Sequence, residues 1–208
     1  MNGNLDLEFR KHLCEHDSAF LKVIERHPPL ELSSARPPFE ALVRIVAGQQ
    51  LSVKAASTVF QRLELALNDM VTANAVAEVS IETLREAGLS RAKGQTLMAL
   101  SVFAGPNEKH LQSLVDGPWM TCRAQLLQVK GIGTWSVDMF AMFGIGHMDI
   151  FASGDLGLRV AMERHLEISP KQKPAVYDQR ALVWSPFRTL ASLHLWHSLK
   201  PDHERFTV

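Results

Sequence analysis

Leu126-Leu127-Gln128-Val129-Lys130-Gly131-Ile132-Gly133-Thr134-Trp135-Ser136-Val137 is the stretch that decides the fold. Two glycines flank one isoleucine, with apolar, helix-forming sequence on both sides, so the segment reads as two helices joined by a tight turn. Gly131 and Gly133 allow the turn positive φ and a close approach by another backbone. The amides after the turn belong to the donors that a helix start leaves without intrahelical partners. With the helix dipole they can point at a phosphate. Ile132 is expected to anchor the turn in the core, while Thr134 adds a hydroxyl and Lys130 a nearby charge. A lone Gly-x-Gly is more often an ordinary helix corner. The difference here is Asp155, downstream in Ser153-Gly154-Asp155-Leu156-Gly157-Leu158-Arg159, a single carboxylate at the start of a further helix.

Helix signals also dominate on either side, and convincing period-2 strand runs are missing. Residues 8–26 read as a first helix that ends before His27-Pro28-Pro29. Phe39 to Ala47 repeats apolar residues at Leu42, Ile45 and Val46 and stops at Gly48. Ser52 caps a helix over 53–67, which leaves Gly48-Gln49-Gln50-Leu51 as a short interhelical loop. Ser80 caps a short helix ending at Gly88, and Ser90 caps 91–104. Thr121 is expected to cap 122–129 and Thr134 to cap 135–143. Residues 145–154 are irregular, a helix runs from Asp155 to about His165, and Lys171 to Pro174 is a polar connector. Ser185-Pro186 reads as the cap and first turn of a last helix, 186–199. The sum is about ten helices, an all-α chain in which two helical lobes pack around a cleft.

Composition narrows the classes. With 208 residues the chain fits one large domain or two small ones sharing a groove, and at 46% hydrophobic and 21% charged it can bury a core. Its formal net charge is zero, which counts mildly against a nucleic-acid binder; helix N-termini and glycine-loop amides can nevertheless hold phosphates without net charge. Cys14 and Cys122 are the two cysteines, too few for a four-thiolate zinc or iron–sulfur site and no disulfide framework, so a reducing compartment is expected. The first residues lack an apolar signal core and no apolar run approaches a membrane span of ~20 residues. A soluble, intracellular protein is expected. Nine histidines invite a metal reading. His194 and His197 lie at i, i+3, but no Cys, Asp or Glu joins them at ligand spacing, and His147-Met148-Asp149 is equally weak.

The hairpin over Leu127–Val137, together with the glycine-bearing loop Gly144–Gly154 and Asp155 after it, resembles the helix-hairpin-helix DNA glycosylase superfamily. Gly48-Gln49-Gln50-Leu51-Ser52-Val53-Lys54-Ala55-Ala56 is similar to the branch that removes alkylated bases, 3-methyladenine DNA glycosylase II. So are Ala87-Gly88-Leu89-Ser90-Arg91-Ala92-Lys93 and Trp184-Ser185-Pro186-Phe187-Arg188. The likeness covers residues 39–199 in the expected order, and four ordered motifs are far more specific than any one. It implies a single glycosylase unit over 1–208, without the N-terminal β domain that members of this type often carry. The helix-hairpin-helix would lie at 122–143, the N- and C-terminal helices would form one lobe, and residues from about 50 to 120 would fall within the other.

By resemblance Asp155 is the catalytic carboxylate, although Asp is a common N-cap and both roles can hold at once. Cleaving an N-glycosidic bond develops positive charge on the sugar, which a carboxylate can stabilise while it orients or deprotonates water. An N3- or N7-alkylated purine already carries positive charge and leaves without a strong general acid. A cationic ring also stacks well on an aromatic face. Trp135 is the implied base-pocket ring and Met139, one turn on, shares its face where relatives often place an aromatic; Trp184 and Phe187 are further pocket candidates, and Trp119 is expected in the core. Bifunctional relatives carry a Schiff-base lysine at the position of Trp135, so a monofunctional glycosylase without lyase activity is expected. Gln50 corresponds to the residue that fills the hole left by a flipped base, with Leu51 beside it as the alternative wedge. Lys130, Gly131, Gly133 and Thr134 would grip the DNA backbone. Carbonyls of Leu127, Val129 and Ile132 match a site where relatives bind Na+ or K+; no other cofactor is expected.

The expected activity is hydrolysis of alkylated purines, 3-methyladenine and 7-methylguanine, from damaged duplex DNA, the start of base excision repair, by a monomer. It would act in the cytoplasm or nucleoid, or in the nucleus of a eukaryote. Two other readings stand beside it: a glycosylase for oxidised or deaminated bases, and a lesion-binding protein without turnover.

Overall fold

The computed structural model describes residues 3–32 and 36–200. Among them are thirteen α-helices, two short 3-10 turns and no strand. The helices fall into two compact units. One is built from the chain before Ala35 together with the chain from Gly146 onward; the other occupies the stretch up to Ile145.

The central unit holds α3 (Pro38–Gly48), α4 (Val53–Ala66), α5 (Ala73–Glu78), α6 (Ile81–Glu86), α7 (Arg91–Ala104), α8 (Lys109–Val115), α9 (Trp119–Leu126) and α10 (Thr134–Phe143). Its core is formed by Phe39, Leu42 and Val46 from α3, Phe60 and Leu63 from α4, Leu97 and Leu100 from α7, and Leu126, Val137 and Phe140 across the hairpin. Each such side chain contributes about 1.5–3 kcal/mol when fully buried. Ser52, Ser80 and Ser90 accept hydrogen bonds from the amides of Ala55, Thr83 and Lys93, so these three expected caps are present. Thr72 caps α5 in the same way.

Two expected caps of this unit fail. Thr121 lies inside α9, which starts two residues earlier at Trp119, with Pro118 in the cap position and no side-chain cap bond. Thr134 is itself the first residue of α10, and Gly133 takes the cap position without any side-chain cap bond.

The other unit holds α1 (Gly3–His16), α2 (Ser18–Ile24), α11 (Leu156–His165), α12 (Pro174–Ala181) and α13 (Arg188–Ser198). The single helix expected over 8–26 is two, because the Asp17 side chain accepts from Phe20 N–H at 3.1 Å and restarts the chain as α2. The buried Asp17 carboxylate also accepts from the Trp184 indole at 2.7 Å and from Arg180 at 2.5 Å. Arg10 closes the far end of α2 by donating to the carbonyls of Ile24 and His27, both at 2.9 Å. Phe9, Leu13, Phe20, Ile24, Tyr177 and Leu195 fill the interior. The last helix begins at Arg188 rather than 186. Ser185 is not its cap, because that hydroxyl bonds the Asp149 carboxylate instead. No helix among the described residues is long and apolar enough to cross a membrane.

Candidate active site

The hairpin is a turn pressed against α7. Ile132 N–H closes it onto Val129 C=O at 3.0 Å, and both side chains are buried in the core, as the apolar anchor requires. Gly131 has φ of 89°, and a Cβ there would sit 1.9 Å from the Thr96 hydroxyl oxygen. Conformation and space both demand glycine. Gly133 differs from its expected role: its φ is −104°, an ordinary extended value, and a Cβ would meet nothing within 4 Å. What glycine leaves there is open space in front of α10. Lys130, Gly131, Gly133 and Thr134 are all exposed on this side.

The loop after α3 is bound to the hairpin by Gln49, a residue to which the sequence alone assigns no role. Its side-chain amide donates to Gly131 C=O at 3.3 Å and to the Ser136 hydroxyl at 3.0 Å. Lys93 on α7 holds the same loop from behind, donating to the carbonyls of Ala47 at 2.9 Å and Gln49 at 2.8 Å. Burial pushes the Lys93 ammonium pKa down. Gln50 is next, in the left-handed region with φ of 57°, and is exposed; Leu51 beside it is also exposed. Trp135, in the first turn of α10, is half-buried, whereas Met139 is only 6% exposed and presents almost no surface to a ligand.

In the other unit, Asp155 stands at the N-cap of α11. Its Oδ1 accepts two hydrogen bonds, from Leu158 N–H at 2.9 Å and from the Trp196 indole N–H at 3.0 Å. Gly157 lies between the partners: a Cβ there would be 3.1 Å from Asp155 Oδ1 and 3.2 Å from the Trp196 ring. Only a residue without a side chain sits easily in that gap. The loop before Asp155 is irregular in backbone but firmly tied. Arg188 donates to the Asp149 carboxylate at 2.7 Å and 3.1 Å and to its carbonyl at 3.0 Å. Thr189 accepts from Ile150 N–H at 3.1 Å and donates to His147 C=O at 2.7 Å. Burial raises the Asp149 pKa, but the hydrogen bonds from Arg188 and Ser185 and the Arg188 charge outweigh it and hold the carboxyl below its ordinary range.

These contacts revise the expectation for the Trp184–Arg188 segment. Trp184 is fully buried, packed at a tilt on Phe20 and edge-on to Phe151 and bonded to Asp17, so it is core and not a pocket wall. Phe187 packs against Phe9 and His12 within its own unit. The segment serves the site through Ser185 and Arg188, which fix the loop leading to Asp155. His194 is held inside its unit, with Nε2 2.8 Å from Asp6 and Nδ1 3.2 Å from His27, and no metal-holding cluster of His, Cys, Asp or Glu occurs among the described residues.

Comparison with known proteins identifies the family. The family described as HhH-GPD superfamily base excision DNA repair protein matches residues 43–186. The chain is 29% identical to DNA-3-methyladenine glycosylase 1 of Schizosaccharomyces pombe over 195 residues, covering 90% of this chain and 84% of that protein. Among solved structures it is similar to the S. pombe 3-methyladenine DNA glycosylase Mag1 in complex with abasic DNA, with a TM-score of 0.81, 25% identity, and 97% of this chain and all of the other covered. It is also similar to DNA-3-methyladenine glycosidase of Bacillus halodurans, with a TM-score of 0.76, 28% identity, and 93% and 89% covered.

Proposed function

The chain belongs to the HhH-GPD superfamily of base excision DNA repair proteins, and from that premise we propose that it is a DNA glycosylase that releases alkylated purines by hydrolysis. The observation that carries the reading is the Asp155 carboxylate, fixed at the start of α11 by the Leu158 amide and the Trp196 indole. Charge grows on the deoxyribose as the base leaves. A carboxylate already oriented by two donors stabilises that charge without reorganising and can draw a proton from the attacking water. The leaving group, 3-methyladenine or 7-methylguanine, is cationic before the bond breaks and needs no acid.

The hairpin supplies the grip on duplex DNA through the amides at the start of α10 and the open space at Gly133. Lys130 and Thr134 stand on the same exposed turn. The carbonyls of Leu127, Val129 and Ile132 would hold a sodium or potassium ion there; Val129 C=O already accepts from Ile132 N–H, and a carbonyl has a second lone pair to offer. Gln50, exposed in its left-handed turn, fills the gap in the stack, with Leu51 alongside. Trp135 offers the ring on which the cationic base stacks. With tryptophan at that position and no Schiff-base amine, the enzyme leaves the abasic strand intact.

The test is incubation of the protein with methylated genomic DNA and chromatography of the released bases. Free 3-methyladenine and 7-methylguanine are expected. Release of oxidised or deaminated bases instead would reassign the lesion, and damaged-DNA binding without release would make the protein a lesion binder. Strand cutting with borohydride trapping would overturn the monofunctional reading.

A further inference from the structure

α7 carries two residues one turn apart that face the DNA-contacting parts of the central unit. Thr96 abuts the hairpin at Gly131, and Lys93 reaches the carbonyls of Ala47 and Gln49 at the end of α3. A helix end presents carbonyls without intrahelical partners and carries partial negative charge, so an ammonium placed there both satisfies acceptors and complements the dipole. The two carbonyls bracket the residues that lead into Gln50. From the other side the Gln49 amide ties the loop to Gly131 C=O and the Ser136 hydroxyl. Gln50 itself has φ of 57°. A non-glycine residue in that region costs on the order of 1 kcal/mol and persists only where its surroundings over-determine it.

We propose that Lys93 and Gln49 are positioning residues for base extrusion, a clamp that sets Gln50 in its left-handed conformation and at a fixed place relative to the hairpin. The clamp acts before chemistry. A wedge already oriented needs no ordering when it enters the stack, so the effect falls on opening a duplex and not on breaking the glycosidic bond. The point charge matters as well as the shape, because only a cation donates to both carbonyls while opposing the helix-end dipole; arginine, longer but also cationic, should restore part of the function.

The inference rests on the reading of Gln50 as the wedge, and the experiment separates the two. Lys93→Met, Lys93→Arg, Gln49→Leu and Gln50→Ala are compared on one oligonucleotide carrying 7-methylguanine, as a duplex and as a single strand. Circular dichroism confirms folding. For Lys93→Met and Gln49→Leu the ratio of duplex to single-strand base release should fall tenfold or more, with the loss in KM and in binding of abasic duplex. Lys93→Arg should recover at least half of the loss on a logarithmic scale. If Gln50→Ala loses the duplex preference and neither clamp variant does, the clamp is refuted while the wedge stands. If Gln50→Ala shows no duplex-specific loss, the wedge reading itself fails. Equal losses on both substrates in the folded variants, or no rescue by arginine, also overturn the proposal. Should Lys93→Met not fold, Gln49→Leu decides alone.

Discussion

The Trp196 indole donates to Asp155 Oδ1 across a gap of 3.0 Å that only Gly157 leaves open. The same oxygen accepts the α11 cap bond from Leu158. One carboxylate atom is thus fixed by two donors from different helices, so the acid's orientation depends on where α13 lies and not only on its own backbone.

Asp155→Asn keeps an oxygen for both donors and removes the charge. Asparagine caps helices about as well as aspartate, so stability should change by less than about 1 kcal/mol. Base release should fall by at least ~10³-fold, in line with loss of a charge that stabilises the transition state, while binding to abasic duplex persists. Chromatography of free base and gel shift read the two effects. Retained turnover in a folded Asp155→Asn protein would remove Asp155 from the chemistry.

Gly157→Ala separates stability from turnover. The helix preference of alanine over glycine, about 1 kcal/mol in a helix interior, is opposed by crowding at the cap, so the melting temperature should stay within about 4 °C of the parent. The new methyl lies 3.1 Å from Asp155 Oδ1 and 3.2 Å from the Trp196 ring. One of them must give, and kcat should fall about tenfold, the effect of a small displacement at the reacting group. A Gly157→Ala enzyme with full kcat would show that the pair tolerates spreading.

The two hairpin glycines should behave in opposite ways. Gly131→Ala combines a φ of 89° with a clash on Thr96 and should destabilise by more than about 2 kcal/mol, on the order of overpacking plus backbone strain. Gly133→Ala fits the fold, with ordinary φ and nothing within 4 Å. Its cost should be in DNA affinity, because the methyl occupies the space a phosphate backbone would approach. Chemical denaturation and duplex binding measured side by side give the contrast; equal behaviour of the two variants would contradict it.

The hairpin, the helix start at Asp155 and the caps at Ser52, Ser80 and Ser90 are legible in the sequence because each is a local signal: a cap speaks for the three residues after it. The short helices α8 and α12 escape because they have no side-chain cap and are too brief to show a period; α5 has its cap at Thr72 but a body too short to confirm it. Thr121 and Ser185 mislead because a helix can start without a side-chain cap and a serine can bond elsewhere, here to Asp149. Trp184 cannot be told from a pocket ring without knowing that its indole meets Asp17, 167 residues away in sequence. The supports of the site are of that long-range kind. Gln49 reaches Gly131 over 82 positions, Lys93 reaches Gln49 over 44, and Trp196 reaches Asp155 over 41. Composition and periodicity carry no trace of such pairs; only the packed helices bring them together.

Acid should weaken the unit that carries Asp155 through a buried pair remote from it in sequence. Burial would raise the Asp6 pKa, yet hydrogen bonds from His194, Arg10 and Leu30 N–H bring it down to about 2. His194, fully buried, is pushed below its ordinary value chiefly by desolvation and stays neutral, donating from Nε2 to Asp6. Both groups act with the same sign. The unfolded chain protonates its histidine below pH ~6.5 and its aspartate below ~4 before the native state does, so it binds more protons and stability falls as pH falls. The Asp6 part is present above pH ~4 and is lost progressively towards pH ~2, on the order of 2 kcal/mol in all. The melting temperature should therefore decline in two stages, one beginning below pH ~6.5 and a second below pH ~4. Asp6→Asn should lower stability at neutral pH, because His194 and Arg10 lose their anion, and should flatten the second stage. A melting curve for Asp6→Asn that runs parallel to the parent from about pH 7 to about pH 3 would show that this carboxylate does not control the acid response.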